Sequence, residues 1–88
     1  MRIIFNKKTV DEELAILGFE KKNETLGCTT YERKMPLDSV QVVALIRNTN
    51  GSLTLNCYEK ASRYFIGLSY RETELFMKKM KQLGLNKL

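Results

Sequence analysis

The sequence predicts an α+β domain, with two helices packed on one face of an antiparallel sheet of three to four strands. The expected order is (β)-α-β-β-β-(β)-α, as a single domain over residues 1–88. Three observations predict it. Asn50-Gly51 lies between two apolar runs and is the strongest short hairpin signal, because both residues tolerate the positive φ of a type I′ turn. Thr9-Val10-Asp11-Glu12 and Ser69-Tyr70-Arg71-Glu72 both have the form of a capping box. Behind each box, apolar residues recur at helical spacing until a glycine, Gly18 or Gly84.

Taken in order, Arg2 to Phe5 is apolar enough for a short strand. Val10, Leu14 and Leu17 form one narrow stripe on the first helix, and Asp11, Glu12 and Glu13 suit the positive end of its dipole. Gly18 supplies a left-handed position, with Phe19 packing back on the helix. Glu20 to Gly27 reads as a polar, turn-rich connection. Cys28 to Met35 reads as a strand that Pro36 ends, since proline cannot donate to a ladder.

The hairpin Val40 to Tyr58 follows. A two-residue turn at Asn50-Gly51 pairs Ile46 with Leu55, Ala44 with Cys57 and Arg47 with Thr54. Strand alternation then gathers Val42, Ala44, Ile46, Leu53, Leu55 and Cys57 on the core face. Glu59 to Ser62 is a polar turn, and Arg63 to Leu68 alternates well enough for a further strand. The last helix runs from Tyr70 to Leu83. Thr73, Phe76, Met77, Met80 and Leu83 share its apolar face, and Leu75 falls among the charged residues opposite.

A hydrophobic fraction of 43% with 28% charged residues describes a folded chain. No apolar run approaches the ~20 residues of a membrane span, and no signal peptide is expected. Cys28 and Cys57 lack the spacing of a metal motif, so two reduced thiols in a cytoplasmic protein are expected. Without histidine there is no Ser-His or Cys-His nucleophile and no imidazole base. Glu12 and Glu72 are committed to caps, and the glycines are spaced as turn and cap residues. The reading is a non-catalytic protein that needs no cofactor or metal.

Two surfaces are candidates for binding. The hairpin face opposite the expected core carries Val43, Leu45 and Tyr58, and the last helix carries Leu75 among charges. Apolar side chains on a nominally solvated face point to a protein partner or a homodimer. The alternative is weak nucleic-acid binding through Arg71, Lys78 and Lys81 of the last helix. The net charge of +5 supports it, because the excess lies in residues 60–88, where Lys60, Arg63, Arg71, Lys78, Lys79, Lys81 and Lys87 face only Glu72 and Glu74.

Leu17-Gly18-Phe19 after the first helix, Thr30-Tyr31-Glu32 in the sheet, and Leu68-Ser69 before a helix ending in Leu83-Gly84-Leu85 form one pattern. It resembles a group of small, uncharacterised phage- and prophage-encoded proteins of Gram-positive bacteria. The resemblance implies an α-β-β-β-α fold and an accessory role, without a known active site. Double-stranded-RNA-binding domains have the same order. They differ in a lysine cluster at the start of the final helix, where this chain has Tyr70, Arg71, Glu72, Thr73 and Glu74.

Overall fold

The computed structural model describes residues 8–84. The chain forms α1 (Val10–Ile16), β1 (Glu20–Glu24), β2 (Cys28–Met35), β3 (Ser39–Arg47), β4 (Leu53–Glu59) and α2 (Tyr70–Gln82). The strands make one antiparallel sheet in the order β1-β2-β3-β4, so this is an α+β fold in which every strand pairs with its sequence neighbour. The expected strand at Arg2–Phe5 lies outside the described residues.

Both helices begin at complete capping boxes. Thr9 Oγ1 accepts from the Glu12 amide at 3.1 Å, and the Thr9 amide donates to Glu12 Oε1 at 2.7 Å. Ser69 and Glu72 repeat the pattern at 3.1 and 2.9 Å. At seven residues, α1 is too short to persist alone, so packing must hold it. Gly18 (φ 98°) turns the chain out of α1, and the Phe19 amide bonds back to the Leu14 carbonyl at 2.9 Å. A side chain at Gly18 would be strained there, and its Cβ would press on Arg33 at 3.2 Å.

The connection after α1 is a strand. Glu20–Glu24 pairs with β2 through a bulge between Lys21 and Asn23, and all five residues are exposed. Four of the five are charged, so no apolar alternation betrays the strand. Charge and bulge together are what a protected sheet edge looks like. The fourth strand of the sheet is therefore β1. Arg63–Leu68 is not a strand: it touches the sheet through one bridge, Tyr58 to Phe65.

The β3–β4 register differs by one residue from the expected one. Leu45 lies opposite Leu55, Val43 opposite Cys57 and Arg47 opposite Leu53. The turn accounts for the shift. The Asn48 amide bonds to the Ser52 carbonyl and the Gly51 amide to the Asn48 carbonyl, both at 2.9 Å. Only Gly51 takes a positive φ, 87°. This is a three-residue loop with glycine in the left-handed position, where a type I′ turn would need positive φ at two residues. A one-residue slip exchanges the faces of one strand relative to the other. Val43 and Leu45 thus join Leu53, Leu55 and Cys57 beneath the helices, while Val42, Ala44 and Ile46 take the opposite face. There Val42 and Ala44 are nonetheless buried, as expected of core residues, and Ile46 is half-buried.

The core comprises Val10, Leu14, Phe19, Tyr31, Val43, Leu45, Cys57, Leu75, Phe76 and Met80, with Leu17, Leu53, Leu55, Ile66, Leu68 and Leu83 packed around it. Phe76 meets Phe19 and Tyr31 edge-on at 5.1 and 5.2 Å, which ties α2 to the α1 turn and to β2. Leu75 is buried because α2 packs against α1 as well as the sheet. That rotation leaves Met77 exposed, contrary to its expected place on the apolar face.

Candidate functional site

Two polar networks hold the helices to the sheet. Arg33 stacks on the Phe19 ring at 4.1 Å and donates to Gln41 Oε1 at 2.7 and 3.0 Å, to Glu72 Oε2 at 2.8 Å and to the Leu17 carbonyl at 3.3 Å. Gln41 is fully buried, and its Nε2 donates to Cys57 Sγ at 3.0 Å. Burial works against the Glu72 charge, but the Ser69 amide and Arg33 outweigh it and hold the carboxyl below its usual value. Burial pushes the Cys57 thiol up, so it stays protonated at neutral pH.

The second network centres on Asp11. It accepts from the Tyr31 hydroxyl at 2.6 Å, from Lys79 at 3.1 Å and from Lys21 at 3.4 Å. Burial opposes the Asp11 charge, but Tyr31, Lys79 and Lys21 prevail and lower its pKa. Desolvation and the neighbouring carboxylate raise the Tyr31 hydroxyl above its usual range. Among the described residues, no buried side-chain nitrogen or oxygen lacks a partner, and no group of His, Cys, Asp and Glu could hold a metal ion. These networks are closed: each charge already faces its counter-charge.

The expected site residues are not brought together. Val43, Leu45 and Leu75 are core residues at 0, 0 and 1% exposure, so they offer a partner nothing. Their presence among polar neighbours reflects the register and the α1 contact. Tyr58 alone stays accessible, half-buried on the face away from the helices. On α2, Arg71 pairs with Glu13 and Glu74. Lys79 is buried against Asp11. Lys78 and Lys81 are exposed and make no ion pair among the described residues.

The open surface lies beside Tyr58, built by the turn after β4. The Glu59 carboxylate accepts from the amides of Val40, Ala61 and Ser62 at 3.3, 3.2 and 2.7 Å, with Ser62 the largest influence, and its pKa falls to about 2. The Arg63 amide bonds to the Glu59 carbonyl at 2.7 Å, and the Glu59 amide to the Tyr64 carbonyl at 2.8 Å. Clamped this way, Arg63 adopts φ 67°, a left-handed conformation uncommon for a long side chain. Its guanidinium sits 5.1 Å from the centre of the Tyr58 ring. The chain then bridges to Tyr58 at Phe65, and the Ile66 amide bonds to the Cys57 carbonyl at 3.1 Å.

Opposed residues of a ladder share a face, so Phe65 stands with Tyr58 on the side without helices. Phe65 is 82% exposed and Tyr64 77%. A depression of about 370 Å³ lies among Leu55, Asn56, Cys57, Tyr58, Arg63 and Phe65. Sequence reasoning missed Arg63, Tyr64 and Phe65 by assigning them to a paired strand. The signal was the adjacent Tyr-Phe pair following a polar turn.

Comparison with protein-family models, with curated proteins and with solved structures found no match. Among the described residues, no helix is long and apolar enough to cross a membrane.

Proposed function

We propose that this chain is a small non-catalytic interaction module that binds another protein chain through the corner formed by Tyr58, Arg63, Tyr64 and Phe65. The observation that carries the reading is the exposure of Tyr64 and Phe65 beside a half-buried tyrosine stacked by an arginine. Tyrosine and arginine anchor many protein interfaces, and two adjacent large aromatics left in water lose free energy that a partner would restore. The turn at Glu59 holds the corner in place before binding, which lowers the ordering cost. The resemblance to small phage and prophage proteins supplies the setting, an accessory role inside the bacterial cell.

The test compares the parent with a Tyr64→Ser/Phe65→Ser variant as immobilised bait for host and phage proteins. Both side chains are exposed, so the variant should fold. A defined protein held by the parent and lost by the variant supports the reading. A protein held equally by both, or a nuclease-sensitive retained species, contradicts it.

A further inference from the structure

The backbone of β4 carries a second, independent feature. In an antiparallel strand, backbone groups alternate between the two neighbouring strands. The Cys57 carbonyl and the Glu59 amide point away from β3, because they bond to Ile66 and Tyr64. By the same alternation, the amides and carbonyls of Leu53 and Leu55 point outward too. The segment 64–66 covers only the far half of β4, and among the described residues Leu53 and Leu55 have no outward partner.

The two edges of the sheet differ in chemistry. The β1 edge, Glu-Lys-Lys-Asn-Glu, is charged and bulged. The open part of β4, Leu53-Thr54-Leu55-Asn56, carries no charge, and its two leucines are half-buried extensions of the core. An uncharged edge with apolar side chains invites strand addition.

We infer that the open half of β4 pairs with the same segment of a second copy, antiparallel and across a two-fold axis at Thr54. In that register, Leu53 faces Leu55 of the second copy and Leu55 faces its Leu53. Each pair exchanges two backbone hydrogen bonds, so all four outward groups of each copy are satisfied. Thr54 faces itself in the close, non-hydrogen-bonded position. The leucines of both copies lie on the helix side and join the two cores. The pairing is self-complementary, as a two-fold interface requires. A second copy fits better than a charged peptide because nothing on this stretch would select a charge. The inference goes beyond the interaction-module reading: it assigns the edge next to the aromatic corner to a second copy of the chain, whatever protein the corner itself binds.

The test uses the full chain in sedimentation equilibrium. The parent should show reversible dimerisation in the micromolar to high-micromolar range. Thr54 lies on the axis and on the helix-free face, so Thr54→Lys and Thr54→Glu each place like charges against one another across the dimer. Each variant alone should weaken dimerisation at least tenfold, and an equimolar mixture should recover it as a Lys/Glu heterodimer. Circular dichroism confirms that both variants fold. If either variant fails to fold, Thr54→Cys replaces them. Opposed Cα atoms in a non-hydrogen-bonded pair lie within disulfide reach, so mild oxidation should give a covalent dimer, and its absence would refute the register.

A parent that stays monomeric at several hundred micromolar overturns the inference. So does a dimer indifferent to Thr54→Lys, which would place the contact elsewhere. Either result leaves the Tyr64/Phe65 experiment standing, because that experiment reads capture of a different protein.

Discussion

Arg33 on β2 and Glu72 at the start of α2 meet at 2.8 Å, 39 residues apart in the chain. Glu72 is also the reciprocal residue of the α2 capping box. One carboxylate therefore caps the start of a helix and anchors it to the sheet. Arg33 answers with its remaining donors on Gln41 and the Leu17 carbonyl, so the pair joins α2, the end of α1 and two strands.

Removing Arg33 should be costly for that reason. Arg33→Ala leaves the buried Gln41 oxygen without its donor and Glu72 without its cation. The expected loss is ~2–3 kcal/mol in urea melts, the scale of a broken charge-assisted bond to a buried group. A loss under ~0.5 kcal/mol would mean that water replaces Arg33 freely.

Below neutral pH, stability should change only on the acid side. Asp11, Glu59 and Glu72 all titrate below their ordinary values, Glu59 at about 2. The unfolded chain takes up protons near the reference values of 3.8 for Asp and 4.5 for Glu, before the folded chain does. Between these ranges the unfolded state binds more protons, so stability falls as pH drops from about 4.5 towards about 2. Above that window the curve should be flat to neutral pH, since the chain has no histidine. Glu59→Gln should make the acid limb shallower. A variant curve parallel to the parent's throughout would show that Glu59 keeps an ordinary pKa.

How much of this was legible in the sequence follows from how local each signal is. Both capping boxes and the glycines at 18 and 84 are read within a few residues, and both helices stand where those signals put them. The strand β1 was illegible, because an edge that both faces expose to water has no reason to alternate. The β3–β4 register was missed by one residue because Asn50-Gly51 fits two loop lengths, and both faces of the hairpin are rich in aliphatics. The aromatic corner was hidden for a tertiary reason: Arg63–Leu68 alternates like a strand, but the chain leaves the sheet after one bridge. Lys79 and Gln41 look like solvent-facing residues until the counter-groups from other elements are in place.

The structure also sets a ceiling on nucleic-acid binding by α2. With Arg71 and Lys79 engaged, Lys78 and Lys81 remain for phosphates. Two contacts give a slope of log K against log salt of roughly −1.4 to −1.8, and Lys78→Glu/Lys81→Glu should bring it close to zero. No gel retardation of DNA or RNA is expected at ~150 mM salt with so few contacts. Tight binding that persists at that salt would favour the basic helix over the aromatic corner as the working surface.

The central claim is that the helices cover the Val43–Leu45 face of the sheet, that Val42 and Ile46 take the opposite face, and that the accessible surface is the corner at Tyr64 and Phe65. Urea melts of Leu45→Ala and Ile46→Ala test it most directly, since the two residues are adjacent and point to opposite faces. Leu45 is fully buried and Ile46 only half so. Leu45→Ala should lose ~2–5 kcal/mol and Ile46→Ala clearly less, under ~1.5 kcal/mol. The reverse order would put the helices on the other face and contradict the account.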